Sequence, residues 1–445
     1  MADSFPELSF GYVSPRVLDA GQLLAAVDRG ERTIERAADV IRRNRVVLIA
    51  CDNLGRADHP TAAALLAELT PFAEERHRRA ANIERSHALL DELATALDIG
   101  VWGIKGLSTM HGYPDPALRE MRDVDCAVYG RDEAFVLARA LRDKGFVTDI
   151  RELPWLKAAC DGTPYGQYKL QGPNGFAAVD IHFGPVYSTG HCGLLPVPAP
   201  SSPGVRPLPI VANLRPMLGN SGGDIHITAK DVNDLWVASK SLSSRDISEF
   251  IGDARAAALG NQLTAIAETT LAVTGTSAEQ RTALQAIACA GSTRIEKPLL
   301  ASGLMKRTSS ARVLRTATRA YRQAAAGTRS RLVRAGVVLG ALAYYSAPLK
   351  LRLSRLPANR ALPKQWRCVR LIPLSLAQAF VADGEKAVKS WEGDARPGEG
   401  IPGDAGDVRF EPAGRGHVVV SGDTVFVPTV WFGLPAGVIA AAAKR

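Results

Sequence analysis

Residues 103–128 read GIKGLSTMHGYPDPALREMRDVDCAV, and the last six positions of this stretch decide the fold. Asp123-Val124-Asp125 runs into the apolar Cys126-Ala127-Val128. The alternation predicts a β-strand, and side chains two apart on a strand point to one face, so Asp123 and Asp125 project together. Neighbouring carboxylates repel each other and resist burial, so an ordinary core does not select them. A divalent cation, Mg²⁺ or Mn²⁺, removes the conflict by drawing oxygen ligands from both.

The flanking sequence supplies the partners such a strand needs. Val101–Ile104 reads as a strand, followed by Lys105-Gly106 and a short helix. Arg131–Lys144 keeps helical spacing and is closed by Gly145, and Phe146–Ile150 reads as a further strand. Tyr165–Gln171 and Phe176–Phe183 read as strands joined at Gly172-Pro173-Asn174-Gly175, where Asn-Gly is a hairpin signal. Together these make a β-α-β-α-β-β unit with helices against a small mixed sheet.

The hairpin carries a third acid. In Val179-Asp180-Ile181-His182-Phe183, Asp180 and His182 share a face. With this strand beside Asp123-Val124-Asp125, three carboxylates converge on one sheet edge. That donor set suits in-line phosphoryl or nucleotidyl transfer, in which metal ions offset polyphosphate charge. His182 is expected either to hydrogen-bond a ligand carboxylate or to be a simple buried histidine. Lys105 and Gly106 fit a phosphate grip at a helix N-terminus, and Arg119 and Arg122, in the loop before the acids, fit a clamp on pyrophosphate.

The pattern Lys-Gly, Tyr-Pro-x-Pro, Arg, x-x-Arg-Asp-x-Asp and a distant Val-Asp-Ile-His resembles an uncharacterised bacterial nucleotidyltransferase family of the DNA polymerase β-like superfamily. The resemblance runs from Ala80 to Phe183. Lys230-Asp231-Val232-Asn233-Asp234-Leu235 also resembles the segment that follows the superfamily's catalytic domain. It implies metal binding by Asp123 and Asp125, with Asp180 as third ligand and acceptor of a hydroxyl proton. It further implies nucleotide binding by Lys105, Gly106, Ser108, Arg119 and Arg122. The superfamily usually places Gly-Gly or Gly-Ser closer to the acids than Gly106-Leu107-Ser108 stands here. The expected activity is Mg²⁺- or Mn²⁺-dependent transfer of a nucleoside monophosphate from an NTP such as ATP to the hydroxyl of a small molecule, protein or RNA. Two alternatives stay open: an inactive binding module with the same fold, and a peripheral membrane or nucleic-acid protein.

The last alternative comes from charge. The 445 residues carry a net charge of +9, yet residues 294–370 hold 18 Lys/Arg against one acid, Glu296, and the rest is net acidic. Such asymmetry predicts an anionic partner, a membrane surface or nucleic acid, for this segment. Arg312, Arg315, Arg319 and Arg322 fall on one face of an expected helix. The cysteines at 51, 126, 160, 192, 289 and 368 form no CxxC pair, against a disulfide framework or zinc site. No basic, apolar leader opens the sequence, and the expected location is cytoplasmic, with the basic segment able to meet the inner membrane face. Residues 335–349 are uncharged but too short to span a membrane, and Pro428, Gly433, Pro435 and Gly437 interrupt 424–443.

The expected class is α+β: a small mixed-sheet nucleotidyltransferase domain with flanking helices, an α-helical region and a small C-terminal β-hairpin element. By segment, 1–79 is mostly helical, with a strand at Val46–Cys51, and 80–195 is the catalytic domain. A helical hairpin is expected over 60–97. Residues 196–225 are a Pro/Gly-rich extended linker, 226–293 a bundle of three helices, 294–370 the basic helical segment, and 371–445 a helix (Ser375–Trp391) and hairpin.

Overall fold

A computed structural model describes residues 20–148, 155–158, 164–187, 195–224, 227–257, 259–271, 276–290, a few positions between 330 and 339, 369–383, 409–414, 416–421, 424–430 and 436–444. The chain is α+β, as expected. Apart from those few positions and Val369 and Arg370, which open a strand, the basic segment lies outside the described residues, as do Ile150 and 384–391.

The described residues begin with four helices: α1 (Ala20–Asp28), α2 (Ile34–Arg43), α3 (Val47–Leu54) and α4 (Pro60–Ala96). Two expectations are corrected here. Val46–Cys51 is not a strand: α3 is a helix with Val47, Leu48, Ile49 and Ala50 all buried. A short, wholly apolar run has no period to separate helix from strand. Residues 60–97 are not a hairpin either. They form one 37-residue helix with Pro60 in its first turn and Pro71 inside it, and no glycine between 60 and 97 offers a turn. One half of α4 packs with α1–α3; the other half, through Ile83, Leu90 and Ala94, lies on the sheet.

The sheet strands near the site are β1 (Gly100–Gly103), β2 (Asp123–Val128), β3 (Val147–Thr148), β4 (Trp155–Ala158), β5 (Pro164–Gln171) and β6 (Ala178–Phe183). Between them stand α5 (Gly106–Thr109) and α6 (Arg131–Asp143). A separate two-stranded ribbon pairs β7 (Val186–Tyr187) with β8 (Leu195–Pro196). Residues 196–225, expected as an extended linker, instead hold β9 (Gly204–Pro207), which pairs parallel with β1, and α7 (Ile210–Asp224). Leu208, Ala212, Leu214 and Leu218 bury this stretch in the main core. Most of its prolines stand before β9 or at the α7 entrance; Pro207 closes β9, an edge strand where a missing N–H is tolerated, and Pro216 lies inside α7.

The strand order is β5-β6-β2-β1-β9 through the centre, with β2 parallel to β6 and the β1–β2 and β5–β6 pairs antiparallel. Val124, Cys126, Val128, Val179, Ile181 and Phe183 face α4 and α6. The alternate residues face the other way, and these carry the acids. Residues 227–290 hold four helices rather than three: α8 (Ala229–Ala238), α9 (Ser244–Ala256), α10 (Gly260–Leu271) and α11 (Ala278–Ala288). Capping boxes at Thr228/Asp231, Ser243/Asp246 and Ser277/Gln280 start three of them.

The C-terminal part exceeds the expected helix and hairpin. It contains β10 (Val369–Pro373), α12 (Leu374–Asp383), β11 (Arg409–Ala413), β12 (Gly416–Ser421), β13 (Thr424–Val430) and α13 (Ala436–Ala442). The four strands form an antiparallel sheet in the order β11-β12-β13-β10 with its own core of Ile372, Leu376, Val418, Val427 and Ile439. Two residue pairs join β10 to β4. Among the described residues no helix is long and apolar enough to cross a membrane.

Candidate metal and nucleotide site

The hairpin sets the register of the site. Phe176 N–H donates to the Pro173 carbonyl (3.0 Å), and Gly175 takes φ +86° at the turn, a conformation glycine adopts without strain. Pairing centred on Asn174-Gly175 places Lys169 opposite Asp180 and Gln167 opposite His182. Ser86 of α4, fully buried, bonds both backbone groups of Ala177 and anchors the start of β6. Parallel pairing then brings Asp125 opposite Asp180, Asp123 opposite Ala178, and Ala127 opposite His182.

Asp125, Asp180 and His182 offer ligand atoms that all lie within 4.8 Å of one another. His182 Nε2 is 3.7 Å from Asp180 and 3.9 Å from Asp125, too long for hydrogen bonds, and both its ring nitrogens are buried without a hydrogen-bond partner. An orphaned imidazole beside two carboxylates is the donor set of a divalent-cation site, so these residues fit a metal. Asp123 stands two residues away on the same face, its Oδ2 paired with Lys169 Nζ at 2.7 Å.

Charge is finely set across this row. Burial and the adjacent Asp125 push the Asp123 carboxyl up, against the pull of Lys169. Burial also opposes ionisation of Asp125 and Asp180, but Lys105 and His182 hold both below the usual carboxylate range. Burial disfavours charge on His182 as well; Asp180 and Asp125 outweigh it and raise the imidazole.

Lys105 reaches this centre. Its Nζ is 2.5 Å from Asp125 Oδ1 and 5.2 Å from the Tyr187 ring centre. Its backbone is at φ +52°, ψ −117°, strained for a residue with a Cβ. Asn213 of α7, fully buried, clamps both sides of it: Oδ1 accepts from Lys105 N–H at 2.5 Å, and Nδ2 donates to the Lys105 carbonyl at 3.1 Å and to Thr109 Oγ1 at 2.9 Å.

The other residues expected in the site are placed differently. A Cβ on Gly106 would stand 2.5 Å from Met121 Sδ and 3.4 Å from Arg119 Nη1, so glycine here lets β2's approach segment pack close. Ser108 Oγ donates to the Leu208 carbonyl and ties α5 to β9. Arg119 is buried, with Nε and Nη2 on the two Asp234 oxygens at 2.7 and 2.8 Å, and is not brought to the acids. Arg122 lines an open cleft with Arg42, Phe72, Glu75, Arg76 and Arg79.

Asn213, Gln167 and Lys169 escaped sequence reading. Gln167 Nε2 donates to both Asp180 oxygens at 2.7 Å. For Gln167 and Lys169 the signal was present, since the turn centre at Asn174-Gly175 fixes their register.

Residues 30–197 match a family described as uncharacterised nucleotidyltransferase. The match supports a nucleotidyltransferase family for the part of the chain that carries Lys105, all three acids and His182, and it starts well before Ala80. No match was found among curated proteins or solved structures.

Proposed function

We propose that the protein is a metal-dependent nucleotidyltransferase that moves a nucleoside monophosphate from an NTP to an acceptor hydroxyl. The observation that carries this reading is Asp125 facing Asp180 across parallel strands, with the unpartnered His182 within ligand distance, in a region that matches a nucleotidyltransferase family. Asp125, Asp180 and His182 would hold one divalent ion, and Asp123 would take part in the same row. When bound, Mg²⁺ or Mn²⁺ supplies charge neutralisation to polyphosphate and polarises the reacting oxygens.

The protein's own residues do the rest. Lys105, held rigid by Asn213, presents an ammonium at the acids, where a nucleotide's phosphates would meet it. Gln167 fixes the Asp180 carboxylate in one orientation. In the transfer, the acceptor oxygen bonds to the α-phosphorus and the α–β bridging bond breaks. Pyrophosphate leaves with that electron pair, and Asp180 would accept the hydroxyl proton.

The test is incubation of the purified full chain with each α-³²P-labelled NTP, Mg²⁺ or Mn²⁺ and a cell lysate. Metal-dependent label transfer, lost in Asp123→Asn/Asp125→Asn, is expected. Absence of transfer, or transfer undiminished in that variant, would overturn the reading.

A further inference from the structure

The cleft beside Asp123 is the second concentration of charge in this part of the fold. α2 contributes Arg42, α4 contributes Phe72, Glu75, Arg76 and Arg79, and the segment leading into β2 contributes Arg122. It is an open cleft of about 470 Å³, lined by four arginines and one carboxylate. Arg45, Arg79 and Arg76 all lie close enough for their charges to act on Arg122, as does Asp123. Some of these cations have partners: Arg79 pairs with Glu75, Arg76 with Glu75 and Glu120, and Arg42 with Asp39. Arg122 and Arg45 have no ion pair among the described residues.

Three of the four guanidinium groups are paired within the protein, but Arg122, pressed by the charges of Arg45, Arg79 and Arg76, is not paired among the described residues. The lining keeps four cations to one carboxylate, an excess that an incoming anion would neutralise. Guanidinium forks match phosphate oxygens bidentately, which makes phosphate the ligand class. Phe72, half-buried in the wall with Arg42 5.0 Å over its ring, gives an apolar side to whatever carries the phosphate.

The cleft is distinct from the Lys105 grip. The groups that act most on Lys105 are Asp125, Tyr187 and Asp180. Those that act most on Arg122 are Arg45, Arg79, Arg76 and Asp123. Lys105, Asp123, Asp125 and Asp180 do not line the cleft, and Lys105 Nζ sits on Asp125 while Arg122 directly precedes Asp123. Two separate cationic sites next to one acidic row suit two anionic substrates.

We propose that the arginine cleft seats a phosphate group of the acceptor, so that the second substrate is a phosphorylated molecule whose hydroxyl is presented to the acids from the Asp123 side. This rests on the nucleotidyl-transfer reading. The step remains balanced as above: the acceptor's hydroxyl oxygen forms the phosphorus bond, pyrophosphate leaves, and the acceptor's own phosphate stays intact in the cleft.

The test uses the full-length protein, Mg²⁺ and calorimetric titration. A nucleotide analogue with a methylene α–β bridge is first brought to saturation, and inorganic pyrophosphate is then titrated in. Pyrophosphate is expected to bind the nucleotide-loaded protein, and to bind at least tenfold more weakly to Arg79→Gln/Arg122→Gln with the analogue's Kd unchanged. Arg42→Gln, an exposed position, serves as a second variant expected to weaken pyrophosphate in the same direction. No pyrophosphate binding to the loaded wild type, or equal binding by the variants, would overturn the proposal. Loss of analogue affinity in the double variant, without a second pyrophosphate site, would assign the cleft to the nucleotide's own triphosphate and also overturn it. Pyrophosphate binding that depends on these arginines in a protein that takes up no nucleotide would uphold the phosphate site and reject nucleotidyl transfer.

Discussion

Asp125 and Asp180 stand opposite each other, residue for residue, on the parallel strands β2 and β6. The pairing depends on the tight turn at Asn174-Gly175 and on the Ser86–Ala177 anchor, because a shift of one residue would send Asp180 to the far face of the sheet.

From that relationship follows a functional prediction. Asp180→Asn keeps an oxygen to accept from Gln167 and is nearly isosteric, so the melting curve should hold to within about 1 kcal/mol. Label transfer should fall by about 10²-fold or more, on the scale of losing a group that stabilises transition-state charge. Single-turnover assays beside thermal melts make the comparison. Full transfer by the variant would contradict the assignment.

Asn213 is expected to matter chiefly through Lys105, with a smaller part through Thr109 Oγ1. Asn213→Ala strands the Lys105 N–H, removes one donor to a carbonyl that Thr109 still serves, and releases a backbone held at φ +52°. Stability should drop by about 1–3 kcal/mol. Nucleotide affinity should fall as well, because the ammonium is no longer aimed. Asn213→Asp keeps the acceptor for Lys105 N–H and should recover part of both losses. Urea unfolding and nucleotide titration read the two effects separately.

Arg119 and Asp234 form a buried ion pair that also receives Tyr113 Oη–H at 2.8 Å and Lys230 Nζ at 3.3 Å. Removing Asp234 leaves Arg119 buried without a counter-charge, and removing Arg119 leaves Asp234 only the longer Lys230 contact, so Asp234→Asn should cost about 3–5 kcal/mol and Arg119→Met somewhat less. The double variant should cost clearly less than the sum. Weakened nucleotide binding by Arg119→Met without loss of stability would instead return Arg119 to the phosphate clamp.

Asp231 gives a pH prediction. Burial works against its charge, but Lys230 and the Thr228 capping box outweigh burial and hold its carboxyl below the usual value. A carboxyl depressed in the folded state stabilises above its unfolded pKa of about 3.9, and that contribution disappears as pH falls through the folded value. Asp231→Asn should therefore be less stable than wild type by about 1 kcal/mol at pH 7. The gap should narrow toward pH 3, as followed by denaturant midpoints across pH.

What was legible in the sequence had a local cause. Alternation gave β2, β6 and the shared face of the acids, and Asn174-Gly175 carried the register. The runs without a period were misread: VVLIAC folds as α3 because an apolar hexapeptide fits a buried helix as well as a buried strand. Partners distant in sequence were invisible. Arg119 meets Asp234 115 residues later, and Lys105 meets Asn213 after 108. Neither pair leaves a trace in its own neighbourhood, and Asn213 lies beyond prolines that suggested an extended linker. Arg122, read together with Arg119 as a clamp, belongs to a cluster assembled from three separate segments.

The central claim is that Asp125, Asp180 and His182 hold a divalent ion. The most direct measurement is electron paramagnetic resonance of Mn²⁺ titrated into the full-length protein in the absence of nucleotide. The free-ion signal should disappear up to at least one equivalent in the wild type and persist from the first addition in Asp125→Asn/Asp180→Asn. Equal uptake of Mn²⁺ by the wild type and the double variant would contradict the account.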